Sequence, residues 1–146
     1  MELSYKGTDF LIFGLDKKWY LEHPEIENMK KSEELPFLIE AGAFVVHAHP
    51  FRDAAYIDHI RLFPRGTQAV EVINANKSDF ENKMADIYAE NYGFYKTAGT
   101  DNHCSAYQKE LFKRLAGMEC ETPLKDEHDF IERVKNGEMK IFTTNL

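Results

Sequence analysis

The sequence predicts an α/β fold, and three observations carry the prediction. Short apolar runs alternate with longer amphipathic ones along the chain. One of those runs, residues 43–48, is apolar enough to be covered on both faces, as a strand inside a parallel sheet would be. Capping residues and glycines stand between the runs, where connecting helices would start and stop. Strand, helix, strand in this order favours mostly parallel pairing with right-handed crossovers. At 146 residues the chain suits a single domain spanning 1–146, which buries roughly two thirds of its unfolded surface.

Taken in order, residues 2–5 and 10–15 read as strands around the turn Lys6, Gly7, Thr8, where glycine takes a positive φ readily. Residues 16–31 are polar, and Pro24 suits the first turn of a short helix. Ser32 offers an N-cap hydroxyl, with Glu33 and Glu34 at the positive end of a helix that stops at Gly42. The charge run from Glu25 to Glu34 reads as a solvated face. Asp53 is placed to cap a helix carrying Tyr56, Ile57, Ile60 and Leu62 or Phe63, with Pro64 and Gly66 ending it. A strand over 68–73 follows. The stretch Ser78, Asp79, Phe80, Glu81 matches a capping box, and Phe80, Met84, Ile87 and Tyr88 mark the apolar face of a helix ended by Gly93. Then come a strand over 94–98, a helix over 107–115, a helix around 130–134 that ends at Gly137, and a strand over 139–143.

Composition excludes several classes. The chain is 43% hydrophobic and 29% charged, as soluble globular proteins are, so no disordered or collagen-like reading applies. A net charge of -7 leaves no basic excess to displace counterions from a phosphate backbone, which argues against general nucleic-acid binding. The opening MELSYKGTDF lacks a basic region followed by an apolar one, and the apolar run at 10–13 is too short for a bilayer, so no membrane partner is expected. The two cysteines, Cys104 and Cys120, form no disulfide framework and fit a reducing cytoplasm.

In parallel α/β folds chemistry collects just past the strands' carboxyl ends, and three such ends carry polar residues. "AFVVHAHPFR" places His47 and His49 two apart, and so on one face of an extended segment, with Arg52 close behind. Glu71 and Asn74 lie within or just after the strand over 68–73, and Asp101 and His103 follow the strand over 94–98. Imidazoles and a carboxylate are a ligand set for zinc, manganese or iron. Histidines at strand ends are also often plain hydrogen-bonded structural residues, and spacing by itself leaves both readings open. His23, His59 and His128 sit in polar surroundings away from strand ends and read as surface, while Trp19 and Tyr20 read as packing for the polar connection. Cys104 reads as a small buried thiol.

Together these stretches resemble the polymerase and histidinol phosphatase (PHP) domain, in order and over nearly the whole chain. "AGAFVVHAHP" is similar to that family's GGxxxxAHP stretch, "AGTDNH" to its GSDAH motif, "VEVIN" to its acidic residue and asparagine at a strand end, and "MELSYKGTDFLIFG" to a GMEIS segment followed by HxxG. The resemblance implies a truncated form of the family's irregular (β/α)7-type barrel. It implies Glu2, His49, Asp101 and His103 as metal ligands, with Asp101 and His103 catalytic. Arg52, His47 and Asn74 are then expected to meet a small phosphorylated substrate, Arg52 by clamping phosphate in bidentate fashion.

The family's HxxG histidine is Leu11 here, and its opening HxH stretch has no counterpart before Glu2. Fewer than the family's two or three divalent ions (zinc, manganese, iron or magnesium) are therefore expected. A barrel lacking strands would leave raw edges that invite pairing into a homo-oligomer. The resemblance implies a metal-dependent phosphoesterase of reduced activity; the alternative is an inactive remnant serving as a structural or interaction module.

Overall fold

The computed structural model describes residues 1–103 and 114–145. Strands β1 (Glu2–Tyr5), β2 (Thr8–Phe13), β3 (Phe44–Ala48), β4 (Ala69–Asn74) and β5 (Tyr95–Gly99) form one five-stranded sheet in chain order. Strands β6 (Arg114–Glu119) and β7 (Lys140–Asn145) pair as a separate two-stranded ribbon. The helices are α1 (Lys17–Glu22), α2 (Lys31–Glu40), α3 (Asp79–Tyr92) and α4 (Glu127–Lys135), with 3-10 turns at Pro24–Asn28 and Pro64–Gly66.

This is a mixed α/β fold, and it corrects the expected barrel: among the described residues the strands lie in two sheets with no closure. The pairing is not mostly parallel either. The β1–β2, β2–β3 and β6–β7 pairs are antiparallel, and only β3–β4 and β4–β5 run parallel. Two local causes account for the difference. Lys6 and Gly7 both take positive φ, 50° and 82°, which closes the tight turn of a β-hairpin. The helical excursion between β2 and β3 begins and ends at one end of the sheet: Phe13 pairs with Phe44, and a Cβ on Gly14 would lie 3.1 Å from the carbonyl oxygen of Gly42. The chain therefore returns antiparallel instead of crossing over.

The core lies on both faces of the sheet. On one face Phe10, Ile12 and Val45 pack with Leu35 and Leu38 of α2, and Val70 and Val72 with Ala85, Tyr88 and Ala89 of α3. On the other, Phe44, Val46 and Ala69 pack with Ile131 and Val134 of α4. The α3 capping box forms as expected, with Ser78 and Glu81 exchanging side-chain and backbone bonds, and Gly93 ends the helix at φ 70°.

The buried face of α3 differs from the expected one. Phe80 and Ile87 are exposed, and Asn82, Ala85, Tyr88 and Ala89 turn inward, because the small alanines let the helix approach the sheet closely. No helix forms over 53–63. The Asp53 N–H bonds to Glu81 Oε1, Arg52 and Arg61 reach the carbonyls of Gly7 and Lys6, and Tyr56, Ile60 and Leu62 stay exposed. Tertiary anchoring at the hairpin turn thus replaces helical bonding. The helix expected over 107–115 falls outside the described residues as far as 113, as does Cys104, and Arg114 and Leu115 belong to β6. Glu34 is buried and ion-paired with Lys31, so the Glu25 to Glu34 run is not all solvated surface. The first turn of α2 is capped by the backbone of Lys30 instead of Ser32. None of the helices among the described residues is long and apolar enough to cross a membrane.

Candidate functional site at the β3–β5 edge

Strands β3, β4 and β5 run parallel, so the segments that follow them emerge at one edge of the sheet. The β1–β2 turn lies at the same edge, since Asp9 pairs with Ala48. Three non-glycine residues there hold backbone conformations that L side chains rarely adopt: Lys6 at φ 50° in the turn, His49 at φ 27° and Asp101 at φ 54°. Such strain persists only where surrounding contacts over-determine it, and it gathers at functional sites. A bulge between Glu71 and Ile73 redirects β4 beside them.

Glu71 is the organising group. Its Oε2 accepts the His49 backbone N–H at 2.9 Å and Asn74 Nδ2 at 3.0 Å, both buried bonds. Asn74 is fully buried and in turn accepts the Asn76 N–H on its Oδ1, while Asn82 holds its backbone on both sides. Asn76 then donates to the carbonyl of Asp101. One chain of hydrogen bonds therefore sets the loops after β3, β4 and β5 relative to one another, and cooperative bonding of this kind rigidifies an edge.

Around that frame stand the charges. His49 Nε2 lies 3.6 Å from Asp9 Oδ2, and Arg52 Nη2 lies 3.0 Å from the same oxygen. Lys77 Nζ is 3.4 Å from Asp101 Oδ2, and His103 Nδ1 is 3.3 Å from Asp101 Oδ1. Burial pushes the His49 imidazole below its usual value and Arg52 adds to this, against the pull of Asp101 and Asp9. Burial raises the Glu71 carboxyl more than the bonds from Asn74 and His49 lower it. Burial would raise Asp101 too, but the fields of His49 and Lys77, with the Asn74 bond and His103, together hold it below the usual carboxylate range.

The expected residues are placed unevenly. His49, Asp101, His103 and Arg52 share this cluster through the contacts above. Asn74 joins it as a buried strut and presents no free surface to a substrate. Glu2 does not join it: it is exposed on the edge strand β1, in register with Leu11, and Asp9 is the carboxylate that meets His49. His47 is corrected as well. Its ring is fully buried, 4.7 Å from Phe10 and 6.2 Å from Tyr88, on the α2 and α3 face. The positive φ at His49 ends the extended segment, so spacing by two no longer puts both imidazoles on one face. Asp9 and Lys77 are the charged residues of this cluster that sequence reasoning missed. Only their positions beside a turn and a strand end signalled them.

The donor set does not fit the metal that the resemblance implies. Among the described residues no three His, Cys, Asp or Glu side chains stand close enough to hold an ion. The carboxylates are engaged instead: Asp9 by Arg52, Asp101 by Lys77, and Glu71 by two N–H donors.

Burial makes His47 an acid-sensitive point of the core. Among the described residues neither ring nitrogen has a hydrogen-bond partner, and burial, reinforced by His49, depresses its pKa to about 3. The unfolded chain binds the proton near pH 6.5, the folded chain only near 3, so protonation favours unfolding between those values. Stability is expected to fall by about 1.4 kcal/mol per pH unit below roughly 6.5 from this group. Urea midpoints measured from pH 7 to pH 4 check it, with His47→Phe expected to flatten the slope.

Compared with family models, with curated proteins and with solved structures, the chain matches none of them.

Proposed function

We infer that the chain is a PHP-type phosphoesterase domain that binds and hydrolyses small phosphate esters at the β3–β5 edge. The observation that carries this reading is the meeting of three separate motifs there: His49 after β3, Glu71 and Asn74 on β4, and Asp101 with His103 after β5. Arg52 and Lys77 supply the positive charge a phosphate dianion needs. Lys77 is the looser of the two, at 3.4 Å from its carboxylate, and exchanges it most readily for a phosphate oxygen.

Proton transfer falls to His103. Asp101 holds its Nδ1 by side chain and by carbonyl, at 3.3 and 3.0 Å, which leaves Nε2 for chemistry. Nε2 takes a proton from water as the water oxygen attacks phosphorus; the ester P–O bond breaks, and the leaving alcohol receives a proton in return. Arg52 and Lys77 stabilise the charge on the equatorial oxygens meanwhile.

A second reading is favoured by two observations: both cations are already neutralised by carboxylates, and no three-ligand group is present among the described residues. On that reading the edge is a relic of catalysis in an interaction module. Phosphate release from a panel of small phosphate esters, with and without added manganese or zinc, tests the first reading, alongside metal content by elemental analysis. Release above the uncatalysed rate is the expected result. No release under any condition leaves the second reading standing.

A further inference from the structure

Behind Glu71, on the α4 face of the sheet, lies a cavity of about 310 Å3. Its walls include Leu11, Phe13 and Val46 from the sheet, Met118 from β6, Phe130 from α4 and Met139. Among the described residues Glu71 is the only charged one that lines it; the rest are apolar, glycine or threonine. Volumes of this order, apolar walls and a single polar anchor are the usual make-up of a small-molecule pocket.

Two features show that the carboxylate is built to face this space. Glu71 is 6% exposed, and its Oε2 is spoken for by the His49 N–H and Asn74, both neutral donors from the loop side. Its Oε1 lies against Gly99, where an added Cβ would come within 2.5 Å of it, so a larger residue there would displace the end of the carboxylate. A carboxylate with neutral partners on one oxygen and an apolar chamber beside the other is a charge set in low dielectric, and among the described residues no counter-ion touches it. A cation carried on an apolar body supplies both missing terms at once. The flexible thioethers of Met118 and Met139 adapt the walls to such a body, and Leu124, 42% exposed, stands at the rim.

We propose that this cavity binds an apolar group carrying an ammonium, seated with its nitrogen on Glu71. Resting on the phosphoesterase reading, the same cavity selects phosphate esters whose alcohol is an apolar amine, with phosphate at Arg52 and Lys77 and the amine on the far side of Glu71.

Binding of benzylamine and of benzyl alcohol, its uncharged counterpart, to the whole chain is the test, read by titration calorimetry near neutral pH without phosphate present. Benzylamine is expected to bind about ten-fold or more tightly than the alcohol. Glu71→Gln keeps an acceptor for His49 and Asn74 but turns an amide N–H2 to the cavity, and is expected to abolish the preference. Met139→Trp narrows the cavity with Glu71 untouched and is expected to weaken both probes; it carries the test if Glu71→Gln does not fold. Equal affinities in the native chain, no benzylamine binding, or binding that survives Met139→Trp unchanged overturns the proposal. Since no turnover is measured, amine binding in a chain that releases no phosphate sinks the esterase reading and spares the pocket, and the reverse result does the opposite.

Discussion

Phe10→Ala is expected to destabilise the chain by about 3–5 kcal/mol, the range for truncating a fully buried phenylalanine. The ring has no exposed surface, lies 4.7 Å from His47 and 5.6 Å from Phe63, and shares a cluster with Leu35 and Leu38 of α2. Its loss opens a hole that fixed strands on either side cannot close, so both the transfer term and the cavity term are paid. Against a total stability of about 5–15 kcal/mol, that loss removes from about a fifth to all of it. The urea midpoint reads it, with the slope unchanged. Phe80→Ala is the control: the same side chain, 72% exposed on α3, is expected to stay within about 0.5 kcal/mol of the native chain. A loss below about 1 kcal/mol for Phe10→Ala would place the core elsewhere.

Asp101→Asn is expected to lower phosphate release by about 100-fold or more while leaving the fold intact. Asparagine is the informative replacement because Asp101 sits at φ 54°, a conformation that asparagine tolerates and alanine does not. The substitution keeps the shape and removes the charge. Two consequences follow for the edge: His103 loses the carboxylate that orients its Nδ1, and Lys77 loses its ion partner. The first slows proton transfer, and the second frees a cation for phosphate. The expected signature is therefore a fall in kcat with KM unchanged or lowered. A thermal midpoint equal to the native one separates this from misfolding. Full activity in Asp101→Asn would remove the Asp101–His103 pair from the mechanism.

Much of the local structure was legible in the sequence because its signals are local. The capping box at Ser78, the left-handed stop at Gly93, and the doubly buried run ending in His49 each depend on a few adjacent residues, and each is found where the pattern placed it. The candidate site was legible for the same reason in part: His49, Asp101 and His103 follow strands, and parallel strands deliver their ends to one edge.

The sequence by itself determined the strands other than β6, which residues stand just past β3, β4 and β5, and that apolar surface exists to bury. Tertiary structure alone decided three things. It decided the sense of β2 against β3, through the contact of Gly14 with Gly42, and so an open mixed sheet in place of a barrel. It decided that residues 53–63 stay irregular, because bonds to the hairpin turn and to Glu81 took the place of a helix's own. And it decided that Asp9 and Lys77, not Glu2 and His47, meet the edge, because strand register and one positive φ rotate side chains between faces. Periodicity reports which residues share a face of one element; which elements share an edge is settled by contacts between residues far apart in sequence, whose free energy no single segment contains.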